Sequence, residues 1–140
     1  MIIVYGDAQE MGKAAYMAEI SRVYQNNASI PCLMGGDFNV IRKSTDTNKP
    51  RGYNHWSFVF NAIIEHAGLT GLPLHGRKYT WANNLPEKLD RILIYPDWED
   101  KYPHVLVPAL EREIFDHTPL ILDTGVHKSS PLIFRFESSW

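Results

Sequence analysis

From Tyr79 onward one short strand signal follows another: Tyr79-Thr80-Trp81, the run from Leu89 to Tyr95, Val105 to Leu110, and Thr118 to Leu122. No long helical stripe separates them. Parallel strands need long crossover connections, so this succession favours a mixed, largely antiparallel α+β layer structure over a doubly wound parallel sheet.

The first half supplies the helices. Met1 to Tyr5 is a β-branched run broken by Gly6-Asp7, which predicts a strand with Tyr5 at the edge of a loop, near an opening. From Glu10 to Asn27 there is no proline, and Tyr16, Ile20, Val23 and Tyr24 recur at helical spacing. Ile30 to Met34 reads as a buried strand that Gly35-Gly36 terminates, with Asp37 and Asn39 at its exit. The polar stretch Arg42 to Tyr53 reads as an exposed loop. Trp56, Phe60, Ile63, Ile64 and Ala67 then share one helical face, and Gly68 stands where a C-terminal cap belongs. Pro73 to Lys78 is rich in turn residues. Tyr79-Thr80-Trp81 and Leu89 to Tyr95 are expected to form a hairpin, with Asp90 near the start of its second strand, and Pro96 to Pro103 a short irregular or helical turn. These elements predict one domain over residues 1–124 and a tail over 125–140.

Composition narrows the function classes. The 140 residues are 44% hydrophobic, enough for one core, and the net charge of −2 argues against a protein that grips nucleic acid through a broadly basic surface. A local basic groove stays open. Cys32 is alone, which excludes a disulfide framework or a cysteine zinc cluster and fits a reducing compartment. No apolar run approaches the roughly 20 residues that span a bilayer, and the first residues lack a signal pattern, so a soluble, unexported protein is expected. His55, His66, His75, His104 and His127 show no zinc-ligand spacing. The pairs Arg42-Lys43 and Arg77-Lys78 read as solvated charge, with groove contact the rarer use.

Two constellations carry chemistry. Asp37 and Asn39 lie two apart after a strand, so both can face one side with Phe38 turned into the core between them. Taken alone, turn organisation after Gly35-Gly36 is the commoner use of such an Asp. Asp116-His117 precedes an apolar strand, and a His there can donate to a phosphate oxygen if a carboxylate holds it. Asp90 is the candidate carboxylate: it begins an apolar strand and needs a partner if buried. Its neighbour Arg91 points to the opposite strand face. Dyad and plain turn chemistry both stay open at this point.

The ordered set Val4-Tyr5-Gly6, Gly35-Gly36-Asp37-Phe38-Asn39-Val40, Gly76-Arg77-Lys78-Tyr79-Thr80-Trp81, Leu89-Asp90-Arg91 and Asp116-His117-Thr118-Pro119 resembles the endonuclease/exonuclease/phosphatase superfamily. More narrowly it is similar to the apurinic-type endonuclease domain of plant non-LTR retrotransposons, in which a stretch like Phe134 to Glu137 commonly follows. The resemblance implies the C-terminal portion of a four-layer α/β sandwich and Mg²⁺-dependent hydrolysis of a phosphodiester in DNA. It implies that Asp37 orients or deprotonates water, and that Asn39 holds that water and the scissile phosphate. Asp90 would pair with His117, which contacts a phosphate oxygen; Tyr5 would approach the same phosphate, and Asp116 would lie at the metal side.

Departures from the family pattern set further expectations. Relatives carry an Asn and a metal-ligating Glu ahead of the position of Val4, and they usually have Ser where Phe115 stands. A chain lacking these is expected to bind Mg²⁺ weakly and to have impaired activity, and uncovered sheet faces favour self-association. The alternatives are a non-catalytic pseudo-domain or a retroelement remnant without selected activity.

Overall fold

The computed structural model describes residues 1–125 apart from 51, 83 and 113–115. The expectations for Phe115 and for the stretch 134–137 fall outside them. In chain order the elements are β1 (Ile2–Tyr5), α1 (Lys13–Asn27), β2 (Leu33–Asp37), α2 (His55–Ala67) and β3 (Thr70–Gly71), then β4 (Leu74–His75), β5 (Asp90–Ile94), α3 (Pro96–Lys101) and β6 (Val107–Pro108). One sheet runs β1-β2-β5-β3 and a second pairs β4 with β6. β1 is parallel to β2, whereas β5 is antiparallel to both β2 and β3. The architecture is the mixed α+β layering that the sequence predicts.

Alternation along the central strands divides the core into two faces. Met34 and Leu93, with Phe38 and Tyr95 just beyond the strand ends, pack against Met17 and Ile20 of α1 and Phe60 and Ile64 of α2. On the other face Leu33, Ile92 and Ile94 meet Val107, Leu74 and Leu120. α2 forms where predicted because both ends are capped. The Asn54 side chain accepts from the backbone N–H of Trp56 and Ser57, and Gly68 closes the helix at φ 64°; such a cap contributes about 1 kcal/mol. α1 follows one 3-10 turn, Glu10–Gly12, and turns the predicted stripe to the core, with Ile20 buried and Tyr16, Val23 and Tyr24 partly buried.

β2 lies three residues later than expected, and Gly35-Gly36 sits inside it rather than ending it. The reason is a close approach across the sheet. Gly36 has φ 140°, and a Cβ there would lie 2.1 Å from the carbonyl oxygen of Val4. Gly36→Ala is therefore expected to destabilise the fold by about 2 kcal/mol or more, read as a drop of roughly 6–10 °C in Tm.

Other strands are shorter than their signals. Tyr79-Thr80-Trp81 does not form a hairpin with β5; Trp81 makes an isolated bridge to Glu87, and β5 pairs with β2 instead. The expected strands over 105–110 and 118–122 reduce to β6 and to bridges such as Ala109 to Leu120. Pro108 and Pro119 interrupt those ladders because each lacks an N–H donor. The predicted exposed loop 42–53 is anchored rather than free: Thr47 is buried and bridges Glu87, and Asp46 pairs with Arg91.

Candidate active site

Antiparallel pairing sets the last residue of β2, Asp37, directly opposite the first residue of β5, Asp90. Facing carboxylates repel, so this register needs a compensating group. His117 supplies it. Its Nδ1 lies 2.9 Å from Asp90 Oδ2 and its Nε2 3.8 Å from Asp37 Oδ2. An ionised carboxylate only accepts, so the contact to Asp90 places a proton on Nδ1.

Backbone pairing delivers the imidazole to this point. His117 bridges Trp81, and Thr118 N–H donates to the Thr80 carbonyl at 2.6 Å. The fully buried Thr80 hydroxyl accepts from the N–H of both Leu89 and Asp90, at 3.0 and 2.9 Å. One threonine thus fixes both halves of the His117–Asp90 pair.

Asn39 completes the cluster from the other side. Its backbone N–H donates to Asp37 Oδ1 at 2.8 Å, and its Nδ2 donates to Asp37 Oδ2 at 2.8 Å and to the Gly6 carbonyl at 2.9 Å. It does so from φ 49°, a left-handed conformation that Asn tolerates better than most residues, not from a continued strand. Phe38 between them is turned into the core against Phe60, as the alternation predicts. Lys13 donates to the Asn39 carbonyl at 2.6 Å.

Burial pushes the Asp37 carboxyl above its ordinary range and the Asp90 charge adds to this, while the Asn39 N–H, His117 and Lys13 pull it back. Burial also lowers the Lys13 ammonium, opposed by Asp7, Asp37 and Glu10. A carboxylic acid raised in the folded state adds stability while protonated, and that contribution is lost as pH rises through the folded value. The stability of the native chain minus that of Asp37→Asn is therefore expected to fall as pH rises from about 4, the unfolded value, toward neutrality. Urea unfolding of both proteins across this range measures it, and a flat difference would contradict the burial argument.

Tyr5, Asp37, Asn39 and His117 line one cleft of about 430 Å³, with Lys13 and Trp81 in its walls. Tyr5 is 85% exposed at its mouth. Asp90 and Asp116 instead line a more apolar cavity of about 770 Å³, which His117 shares. The structure thus joins Asp37, Asn39, Asp90 and His117 through direct contacts, brings Tyr5 to the same cleft, and sets the exposed Asp116 beyond the imidazole. Among the described residues no three His, Cys, Asp or Glu side chains converge to hold a metal ion. Both oxygens of Asp37 accept from Asn39 and Asp90 Oδ2 faces His117, which leaves the exposed Asp116 carboxylate at the edge of this group as the one that could hold a largely hydrated cation.

Sequence reasoning missed Lys13 and Thr80. Lys13 falls on the stripe of Tyr16, Met17 and Ile20, and a lysine on a buried stripe was the available signal. Thr80 gave none, because its two acceptor contacts depend on pairing across the chain.

A layered sheet thus gathers carboxylates, an imidazole and an amide at its strand ends. The model of the Endonuclease/Exonuclease/phosphatase family matches residues 5–130, and the chain belongs to that family. The family is generally dependent on divalent metal. Among solved structures the fold is similar to a 3′-5′ exonuclease, NExo, from Neisseria meningitidis, with TM-score 0.67 and 21% identity over 86% of this chain and 59% of that one. It is also similar to a 3′ phosphatase NExo variant from Neisseria bound to a product DNA hairpin, with TM-score 0.60 and 21% identity over 79% and 52%. The chain thus spans between about half and three fifths of the length of these two structures. No curated protein matches it. Among the described residues no helix is long and apolar enough to cross a membrane.

Proposed function

We propose that the chain hydrolyses phosphodiester bonds in DNA at the Asp37, Asn39, Asp90 and His117 cluster. The observation that carries this reading is the imidazole held by Asp90 while its second nitrogen faces Asp37. Asp90 fixes the ring, so that Nε2 is aimed to donate to a phosphoryl oxygen as charge develops there. Asp37, raised by burial, orients or deprotonates water, and Asn39 fixes that carboxylate with Nδ2 while its Oδ1 can accept from the same water. Tyr5 stands at the mouth of the cleft, where a phosphate would enter. Mg²⁺, the ion the family resemblance implies, would be held on the Asp116 side of the cluster and would supply charge compensation at the phosphoryl oxygens.

A DNA substrate is supported by the hairpin product bound to the Neisseria neighbour. The experiment is hydrolysis of plasmid and of 3′-labelled duplex DNA in Mg²⁺, with Asp37→Asn as the control expected to lose the activity. Nicked plasmid would favour the retrotransposon-type endonuclease reading, which rests on the ordered motifs; shortened 3′ ends would favour an exonuclease. Binding of DNA without cleavage of either substrate would identify a non-catalytic pseudo-domain and overturn the proposal. The metal-side role of Asp116 is tested by whether Asp116→Asn raises the Mg²⁺ concentration needed for half-maximal activity.

A further inference from the structure

Arg42-Lys43 and Arg77-Lys78, separate in sequence, meet across one cavity of about 780 Å³ together with Lys88 and Arg91. Asp46 is the one carboxylate among its described lining residues. Its Oδ2 is already taken by Arg91 Nη2 at 2.8 Å and by the backbone N–H of Arg42 and Lys43. The half-buried Lys88 ammonium has no ion-pair partner among the described residues. Burial lowers it, and the charges of Arg91, Lys43 and Arg42 lower it further, with Asp46 opposing. In a chain of net charge −2, this is a concentrated and largely uncompensated positive field. Such a field favours a polyanion.

The cavity connects to the hydrolytic cleft through shared walls. Arg77 and Lys78 also line a cleft of about 320 Å³ that contains Tyr79, Trp81 and Arg112. Trp81 in turn lines the cleft of Asp37 and His117. The rings along this path already lie beside cations, with Lys78 Nζ 4.9 Å from the centre of Tyr79 and Lys49 Nζ, itself paired to Glu87 at 2.6 Å, 5.2 Å from the centre of Trp81. Interleaved cations and half-exposed aromatic rings suit a strand whose phosphates seek charge and whose bases stack. A free phosphate would use neither the length of the path nor its rings.

We propose that a single nucleic-acid strand flanking the reacting bond runs from the His117 cleft over Trp81 and Tyr79, past Arg77 and Lys78, and seats its phosphates in the basic cavity. The proposal rests on the phosphodiesterase reading above for where the strand begins, but its test needs no catalysis.

The test is fluorescence anisotropy with a labelled single strand of about 12 nucleotides, in EDTA so that the strand stays intact. Every phosphate deprived of its cation should reduce the slope of log affinity against log salt by about 0.7. The exposed double variant Arg77→Ala/Lys78→Ala is expected to lower that slope by about 1.4, and Lys88→Ala by about 0.7, each with weaker binding at low salt. Arg22→Ala, on the exposed side of α1 and paired to Glu19, serves as the control and should leave the slope unchanged. Equal slopes in all four proteins would overturn the track. So would a native slope equivalent to about one neutralised phosphate combined with full displacement of the strand by millimolar inorganic phosphate, the behaviour of an isolated anion pocket. Reduced slopes in the variants without any cleavage in Mg²⁺ would overturn the hydrolase reading alone and leave the track supported.

Discussion

Replacing His117 with alanine is expected to lower phosphodiester hydrolysis by about 10²–10⁴-fold, the range for removing a positioned proton donor. Asp90→Asn is expected to lose a comparable factor, because an amide does not support the charged imidazole and can present its NH₂ to Nδ1 in place of an acceptor. The two losses should not multiply. Asp90 acts through a 2.9 Å contact to His117, so the double variant should be little worse than His117→Ala alone. Single-turnover rates of the four proteins on one DNA substrate would decide this. Multiplying losses would mean that Asp90 acts on the substrate independently, and undiminished rates in His117→Ala would place the chemistry elsewhere.

The second large effect concerns folding. Arg91 is 95% removed from solvent, and its guanidinium binds Asp46 Oδ2 at 2.8 Å and the Val40 carbonyl at 2.8 Å. Burial makes its charge costly, and Asp46 is the first group to offset that cost. Asp46→Ala leaves the guanidinium buried without its anion, a change worth about 3–5 kcal/mol of destabilisation. That is a large share of the roughly 5–15 kcal/mol that holds a domain folded. Asp46→Leu combined with Arg91→Met removes both charges and is expected to recover much of the loss. Urea midpoints for the single and double variants measure the difference. If the single variant unfolds at the native midpoint, the anchoring of the segment after Val40 has been misassigned.

Local chemistry made some of this molecule readable from its residues. The apolar face from Trp56 to Ala67 and Gly68 at its end mark α2 without reference to distant residues, and the stripe of α1 has the same character. The pairing of Asp90 with His117 was reachable through the family resemblance, and that of Asp37 with Asn39 through their spacing of two, although Asn39 reaches the carboxylate from a left-handed turn and not along the strand. What the residues concealed is non-local. Gly35-Gly36 looks like punctuation until Val4 is known to pass beside Gly36. The polar stretch after Arg42 looks free until Arg91, far along the chain, is seen to hold Asp46. Strands of two residues such as β3, β4 and β6 exist through their partners and leave no periodicity to detect. The cations scattered along the sequence show their proximity for the same reason only in the fold, which brings positions 42, 78 and 88 to one cavity.

The ladder between β2 and β5 also acts as a ruler for the chemistry. Side chains alternate along β5, so a slip of one residue would put Arg91, not Asp90, across from Asp37 and turn Asp90 toward the helices. A guanidinium would then confront the imidazole, and a carboxylate would be driven among Met34, Phe38 and Phe60. Misaligned molecules would thus be inert and poorly folded at once, so that correct assembly of the sheet serves as a quality check on the chemistry it carries.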